Sequence, residues 1–256
     1  MPRIGTTATM PSRHATFSKV LPVLARQLDR VFVFLDGFET IPEFLKAFEN
    51  VTVIRSQEAG DYHVSGRFLF LQELTEPSVV VSFDDDIQYP PDYVHRLVHM
   101  LERFDGKAVV GVFGNIFKPP FTNYLRDRKN IHFIDRLWRL TRVDELGNGT
   151  TAFCSDQLSF DIRQWKSFRS DDNYLALEAK KRQLPMWCIP RRKGWLRVFD
   201  VPQEYSIWEQ TQRDPSEKTA LMRQLVAERI AAHEARTFRV GTGKLARFIG
   251  MPDHEL

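Results

Sequence analysis

The feature that most constrains the fold of this chain is the alternation of uninterrupted apolar runs with amphipathic helical patterns. Residues 31–35 and 79–83 read VFVFL and VVVSF, which is typical of strands that are covered on both faces. Helical stripes fall at 12–28, where Ser12 is a suitable N-cap, and in the segment that follows Pro90-Pro91-Asp92. Strands that alternate with helices predict an α/β fold around a largely parallel sheet.

The remaining elements follow from the same patterns. Strands are predicted at 51–54, 108–113 and 186–189, and helices at 66–74, 174–183 and from 216 to about 235. Residues 118–148 are irregular, aromatic and basic, which suits a loop that covers a ligand site. We expect one domain over residues 1–236, followed by a loosely docked tail at 237–256.

The composition favours a soluble enzyme over a nucleic-acid-binding protein. Hydrophobic residues make up 43% of the 256 residues, and the formal net charge is only +3. No stretch approaches the roughly 20 apolar residues of a membrane span. Cys154 and Cys188 lack a metal-type spacing, so we expect both to be reduced, as in a cytoplasmic protein. Basic clusters at 126–142, 180–182 and 191–193 could face donor phosphates, an anionic acceptor or a membrane surface, or form a solvated face.

Three consecutive carboxylates, Asp84, Asp85 and Asp86, come directly after the apolar run 79–83. The triplet therefore lies at the carboxyl end of a strand, where open α/β sheets bind their ligands. Adjacent carboxylates repel one another unless a cation lies among them, which favours a Mg²⁺ or Mn²⁺ site. The alternative is an acidic turn that caps the helix after Pro91.

A second acidic group, Asp171-Asp172, precedes the helical pattern at 174–183. One carboxylate of such a pair can act as a general base while its neighbour orients it. The alternative is an ordinary helix N-terminus with acidic residues in its first turn.

These motifs occur in an order that resembles bacterial GT-A glycosyltransferases of the family-two-like kind. The segments that carry the resemblance are TxPSR ending at Arg13, VFVFLDG with Asp36, GDxxxxxR from Gly60, SFDDDIQYPPDYV, GNGT, and DDNYLALEAKKRQLP with a later Arg191 and Gly194-Trp195. They cover about residues 4–208. The resemblance implies a GT-A, Rossmann-like fold, with a mixed, mostly parallel sheet flanked by helices. It also implies a nucleotide-binding half at 1–113 and an acceptor and catalytic half at 114–236.

The resemblance also implies roles for individual residues on the donor side. Asp86 ligates the metal together with Asp84, which also faces the ribose, and Asp85 lies behind them. The residues implied to border the nucleotide, its base or its ribose are Pro11, Ser12, Arg13, Asp36, Asp61 and Arg67.

On the acceptor side, Asp172 matches the catalytic base of inverting members. Gly149, Thr150, Asp171 and Trp195 are implied to lie near the acceptor. Many relatives take a third metal ligand from a later histidine, for which His132 and His233 are the candidates. Four aromatic residues could stack on sugar rings or simply pack in the core; they are Phe121, Tyr124, Trp138 and Trp195.

The expected function is metal-dependent, inverting transfer of a sugar from a nucleotide donor, such as a UDP-sugar, to a bacterial surface polysaccharide or glycolipid. The protein would act in the cytoplasm, with possible peripheral contact to the inner face of the membrane. One alternative is a sugar-phosphate nucleotidyltransferase, although the segment TTATMPSR lacks the glycines of a phosphate loop. Another is a non-catalytic module that binds a nucleotide-sugar or a membrane.

Overall fold

The protein is described here by a computed structural model that covers residues 1–200 and 207–234. Helices and short 3₁₀ segments alternate with strands along the first two thirds of the chain. The strands are β1 (Arg3–Thr9), β2 (Arg30–Leu35), β3 (Val51–Arg55), β4 (Val79–Phe83), β5 (Ile87–Gln88), β6 (Val109–Gly111), β7 (Gly114–Phe117), β8 (Arg128–Ile131), β9 (Thr141–Val143), β10 (Glu145–Leu146), β11 (Thr150–Cys154), β12 (Met186–Cys188) and β13 (Arg197–Val198). The helices are α1 (His14–Ala25), α2 (Ser56–Ala59), α3 (Tyr93–Glu102), α4 (Asp171–Lys181), α5 (Ile207–Arg213) and α6 (Ser216–Leu225), and the longest 3₁₀ segment is His63–Glu73.

Within the described residues, eight strands form one mixed sheet in the order β3-β2-β1-β4-β11-β6-β12-β9. Strands β11 and β9 run antiparallel to their neighbours, and the other six are parallel to one another. This arrangement confirms the predicted α/β fold with a mostly parallel sheet flanked by helices. The carboxyl ends of the parallel strands therefore meet at one edge of the sheet.

Helices cover the sheet on both faces, so its central strands are buried. One hydrophobic cluster packs α1 and α3 against one face, and a second packs the 3₁₀ segment His63–Glu73 and α4 against the other. A small third cluster joins Phe117, Phe121 and Tyr124 to Met222 of α6. Cys154 and Cys188 are buried free thiols, as predicted.

The central strand β1 was missed by the sequence reading. Its sequence, RIGTTAT, has no apolar run, yet six of its seven residues are buried. The hydroxyl of Thr6 is satisfied inside the core because it donates to the carbonyl oxygen of Arg67. Buried threonines that find backbone partners can therefore replace the usual valines of a central strand.

Four other sequence predictions need correction. Helix α1 begins at His14 with Arg13 as its N-cap, so Ser12 is not the cap. The helix predicted at 66–74 is a 3₁₀ segment, and the loop predicted at 118–148 contains the short strands β8, β9 and β10. Helix α4 begins at Asp171 rather than at Tyr174.

The carboxyl-terminal part of the chain is described only in part. The predicted helix from 216 is α6, which ends at Leu225 and is followed by helical residues 227–234. The predicted tail at 237–256 lies outside the described residues. In the part of the chain that is described, none of the helices combines the length and the apolar character that a bilayer span requires.

Candidate active site

A cavity of about 420 Å³ opens at the edge where the parallel strands end. The sheet strands that reach the cavity contribute the residues at or just beyond the end that lies nearest to it. Thr9 comes from β1, Asp36 follows β2, the acidic triplet follows β4, and Thr150 begins the antiparallel β11. The first turn of α4 and parts of α5 and α6 also line the cavity. The cavity therefore brings together the two acidic groups that are far apart in sequence.

The acidic triplet is held from below by one buried arginine. Arg67 is 3% exposed, and its Nη1 lies 2.9 Å from Oδ1 of Asp84. The same nitrogen donates to Oγ of Ser82 at 3.3 Å, and Nε donates to the carbonyl oxygen of Val64 at 3.1 Å. Burial alone would lower the pKa of Arg67, but Asp84 and Asp171 raise it above its ordinary value. Arg67 is therefore a permanent cation beneath the triplet.

The other two carboxylates of the triplet carry excess negative charge. Burial raises the pKa of Asp85 to about 7, and burial together with Asp84 raises that of Asp86 to about 6. Among the described residues, Arg13 forms an ion pair with Asp86, in which Nη1 lies 3.6 Å from Oδ2. Clustered carboxylate oxygens with too little positive charge form a donor set that fits Mg²⁺ or Mn²⁺.

Glycine at position 149 lets the loop before β11 approach the triplet. A Cβ atom at Gly149 would lie 1.9 Å from Oδ2 of Asp84, closer than any real contact. The backbone N–H of Asp84 donates to the hydroxyl of Tyr89 at 2.8 Å, and that hydroxyl donates to the carbonyl oxygen of Gly149. Asp84 is thus fixed between Arg67 and the glycine loop, and Gly149 lies at the cavity wall.

The second acidic group lies in the first turn of α4. Oδ1 of Asp172 accepts a hydrogen bond from the backbone N–H of Asn148 at 2.7 Å. Burial, followed by the charge of Asp171, raises the pKa of Asp172 to about 8. A carboxylate with such a pKa is suited to accept a proton near neutral pH.

Arg67 also reaches this second group. Its Nε lies 3.5 Å from Oδ2 of the buried Asp171. One guanidinium therefore lies between Asp84 and Asp171, and it links the strand-end triplet to the first turn of α4.

A third group of ionisable side chains surrounds His63, which the sequence reading did not single out. Its Nδ1 lies 3.4 Å from Oδ2 of Asp36 and 3.1 Å from Oδ1 of Asp61. Its Nε2 lies 3.4 Å from Nη2 of Arg169. The ligand atoms of Asp36, Asp61 and His63 lie within 4.8 Å of one another, so the group could hold a cation. A protonated imidazole can bridge two carboxylates in the same geometry.

Most of the predicted site residues line the cavity. Besides those already described, Arg13, Asp36 and Thr150 contribute to its wall. The hydroxyl of Thr150 accepts a hydrogen bond from the backbone N–H of Phe113 at 2.9 Å, which fixes the start of β11.

Other predicted residues lie elsewhere. The described residues that line the cavity do not include Pro11, Ser12 or Asp61, although Asp61 contacts His63, which does line it. Trp195 is buried against α3, where its Nε1 donates to Oδ1 of Asp92 at 3.1 Å. The structure therefore places Trp195 in the core and away from the predicted acceptor side.

Most of the predicted histidines and aromatic residues also lie away from the cavity. Tyr124 lines the cavity, whereas Phe121 is buried in the third hydrophobic cluster. Trp138 is 77% exposed beneath the guanidinium of Arg136. His132 stacks on Phe133, and burial lowers its pKa. Neither His132 nor His233 is among the described residues that line the cavity.

Two lining residues, Trp208 of α5 and Lys218 of α6, had no signal in the sequence. Two others belonged to wider sequence features without being singled out as site residues: Arg128 of β8 lies in the basic cluster at 126–142, and Asn148 lies in the GNGT motif. The guanidinium of Arg128 lies over the rings of Tyr124 and Trp208 at 4.5 and 5.5 Å. These residues come from separate elements, so only the folded chain brings them together.

A known protein family matches a large part of the chain. Residues 16–161, more than half of the chain, match the model of the family described as glycosyl transferase family 2. No curated protein matches the sequence. One similar solved structure is titled "Crystal Structure of A197 from STIV"; it is 13% identical, with a TM-score of 0.35, over 68% of this chain and 87% of that one.

Proposed function

Because the chain belongs to glycosyl transferase family 2 and is therefore a glycosyltransferase with a nucleotide-sugar donor and an acceptor, we propose that it is a metal-dependent, inverting enzyme. We propose that its donor is a UDP-sugar and its acceptor a surface polysaccharide or glycolipid. The observation that carries the proposal is that the triplet Asp84–Asp86 and Asp172 line a single cavity. A cation site and a general base in one cavity are the two parts that such a transfer needs.

The donor occupies the side of the cavity formed by β1, β2 and β4. Asp84 and Asp86 would hold a divalent ion, which would supply positive charge near the departing diphosphate. Arg13 lies beside Asp86 and faces the phosphates. Asp36 and Asp61 receive the base of the nucleotide, with His63 between them. Residues 1–113 are thus the nucleotide-binding half of a single domain, and residues 114–236 are the acceptor and catalytic half.

Asp172 acts on the acceptor. Its carboxylate takes the proton of the acceptor hydroxyl, and the hydroxyl oxygen forms a bond to the anomeric carbon. The bond from that carbon to the diphosphate oxygen breaks, and the nucleoside diphosphate leaves with the electron pair. Attack from the face opposite the leaving group inverts the configuration. The backbone N–H of Asn148 holds Oδ1 of Asp172 during this step.

Calorimetry tests the donor side. We expect UDP to bind more tightly than GDP or ADP, and only with Mn²⁺ or Mg²⁺ present. The variant Asp86→Ala should weaken UDP binding at least tenfold, because it removes a metal ligand. Asp156→Asn is the matched control, since Asp156 is exposed and is not among the lining residues described. Equal binding of UDP with and without metal, or by Asp86→Ala, would contradict the proposal.

A further inference from the structure

A fully buried carboxylate, Glu145, lies behind the candidate base and accepts three hydrogen bonds. It is 1% exposed. Its Oε2 accepts from Nδ2 of Asn115 at 2.6 Å and from the hydroxyl of Tyr124 at 2.8 Å, while Oε1 accepts from Nδ2 of Asn173. Asn173 is the residue that follows Asp172 in the first turn of α4.

The hydrogen bonds indicate that Glu145 is ionised. All three partners donate, so both carboxylate oxygens act only as acceptors, which is the role of the charged form. Burial raises the pKa of Glu145, whereas Lys218, Asn115, Tyr124 and Arg128 act in the opposite direction. A charged carboxylate in a closed position needs such partners, because an uncompensated one is costly.

Glu145 ties together the elements that surround Asp172. Through its three partners it joins β7, the segment before β8 and α4 to its own strand β10. Three residues after Glu145, the N–H of Asn148 holds Asp172 directly. One short segment, residues 145–148, therefore holds both the first turn of α4 and the carboxylate that this turn carries.

Lys218 of α6 approaches the same place from the other side. Its Nζ lies 5.6 Å from the centre of the Tyr124 ring, and the residue lines the cavity. Its charge acts on both Glu145 and Asp172. It is thus a shared cation for two carboxylates that belong to different elements.

We propose that Glu145 is a positioning residue that holds the candidate base Asp172 through Asn173, and that Lys218 is the cation that balances both carboxylates. The inference rests on the proposed role of Asp172. It assigns a positioning role to the fully buried Glu145 and a charge-balancing role to Lys218, which lines the cavity. Asp172 responds to both of them through charge as well as through geometry.

The charged groups around Asp172 determine in which direction its pKa changes when one of them is neutralised. Asp171 on its own helix and Glu145 on β10 are negative, and both raise the pKa of Asp172; Lys218 on α6 lowers it. Arg67, in the 3₁₀ segment, also faces Asp172, as does Tyr124, while Arg128 faces Glu145. Neutralising Glu145 therefore lowers the pKa of Asp172, and neutralising Lys218 raises it.

The test compares pH profiles of the full chain. The probe reaction is hydrolysis of UDP-glucose, UDP-galactose or UDP-N-acetylglucosamine with Mn²⁺, whichever is fastest. Because the base must be deprotonated, the rate rises with pH through the pKa of Asp172. We expect Glu145→Gln to move this rising limb of the pH profile to lower pH by roughly one unit, because one neighbouring charge has an effect of about that size. Lys218→Met should move the limb to higher pH by a similar amount. The limb should not move in Glu178→Gln, at the other end of α4.

A second variant and a second measurement separate the possible failures. Tyr124→Phe removes one hydrogen bond but keeps the charge of Glu145, so it should lower kcat without moving the limb. The pKa of Asp172 is also measured by ¹³C NMR of labelled carboxyl groups, assigned with Asp172→Asn, which needs no turnover. An unchanged pKa in both Glu145→Gln and Lys218→Met would overturn this inference. Shifted pKa values without any hydrolysis would confirm the charge coupling and count against the proposed function instead.

Discussion

The two acidic groups that line the cavity are held in different ways. The triplet Asp84–Asp86 follows a single strand, so its three carboxylates are neighbours because of the chain itself. Asp172 also depends on tertiary partners: its N–H donor is Asn148, and besides the adjacent Asp171 its charged neighbours come from β10 and α6. The triplet therefore concentrates negative charge, as a cation site requires. Asp172 has an adjusted pKa, as a base requires.

Arg67 is the point at which the two groups meet. Its guanidinium contacts Asp84 on one side and Asp171 on the other. The groups therefore share one buried cation while their chemical tasks differ. Variants that change one acidic group and leave the other intact test whether the two groups have separate functions.

The largest expected effect comes from Asp172→Asn. An amide cannot accept the proton of the acceptor, so we expect kcat to fall by about 10²- to 10⁴-fold. UDP and Mn²⁺ should bind as in the unchanged protein, because the triplet is untouched. Steady-state transfer or donor hydrolysis, together with calorimetry, measures both quantities. If Asp172→Asn lost as much nucleotide binding as Asp86→Ala does, the two acidic groups would not have separate functions.

The next effect is on stability and comes from Arg67→Met. Removing the guanidinium leaves Asp84 and the buried Asp171 without their shared cation, so we expect the free energy of unfolding to fall by about 3 kcal/mol or more. Urea unfolding monitored by fluorescence measures the change. Arg163→Gln is the matched control: Arg163 pairs with Asp161 at an exposed position, where the effect should stay below about 1 kcal/mol. Equal losses in the two variants would exclude a special role for Arg67.

The same contrast explains how far the sequence could predict the site. Strand β4 was predicted with its observed bounds because VVVSF is a local apolar signal, and the triplet follows it without interruption. The pair Asp171-Asp172 stood out because it precedes a helical pattern, and the family resemblance then implied Asp172 as the base. In both cases the relevant information lies within a few consecutive residues.

Residues that depend on distant partners could not be predicted. Glu145 lies 30, 21 and 28 positions from Asn115, Tyr124 and Asn173, so nothing around it in the sequence indicates burial. The central strand β1 was missed for a related reason. Its threonines carry no apolar signal, and they are buried only because strands pair on both sides of them.

The smallest expected effect is the pH dependence that Asp172 gives to stability. Its folded-state pKa of about 8 lies above the ordinary value of about 4, so the folded protein binds more protons than the unfolded chain between these limits. The contribution of Asp172 to the free energy of unfolding is fully present below about pH 4 and is lost as the pH rises towards about 8.

Asp172→Asn removes this contribution. The difference in unfolding free energy between the variant and the unchanged protein should therefore move in favour of the variant by on the order of 2 kcal/mol from pH 6.5 to pH 8. Urea unfolding at several pH values without added metal measures it. Asp156→Asn, at an exposed carboxylate, should show no such trend. If the Asp172→Asn difference stayed constant with pH, then Asp172 would titrate like an ordinary surface carboxylate, and the contrast with the triplet would be lost.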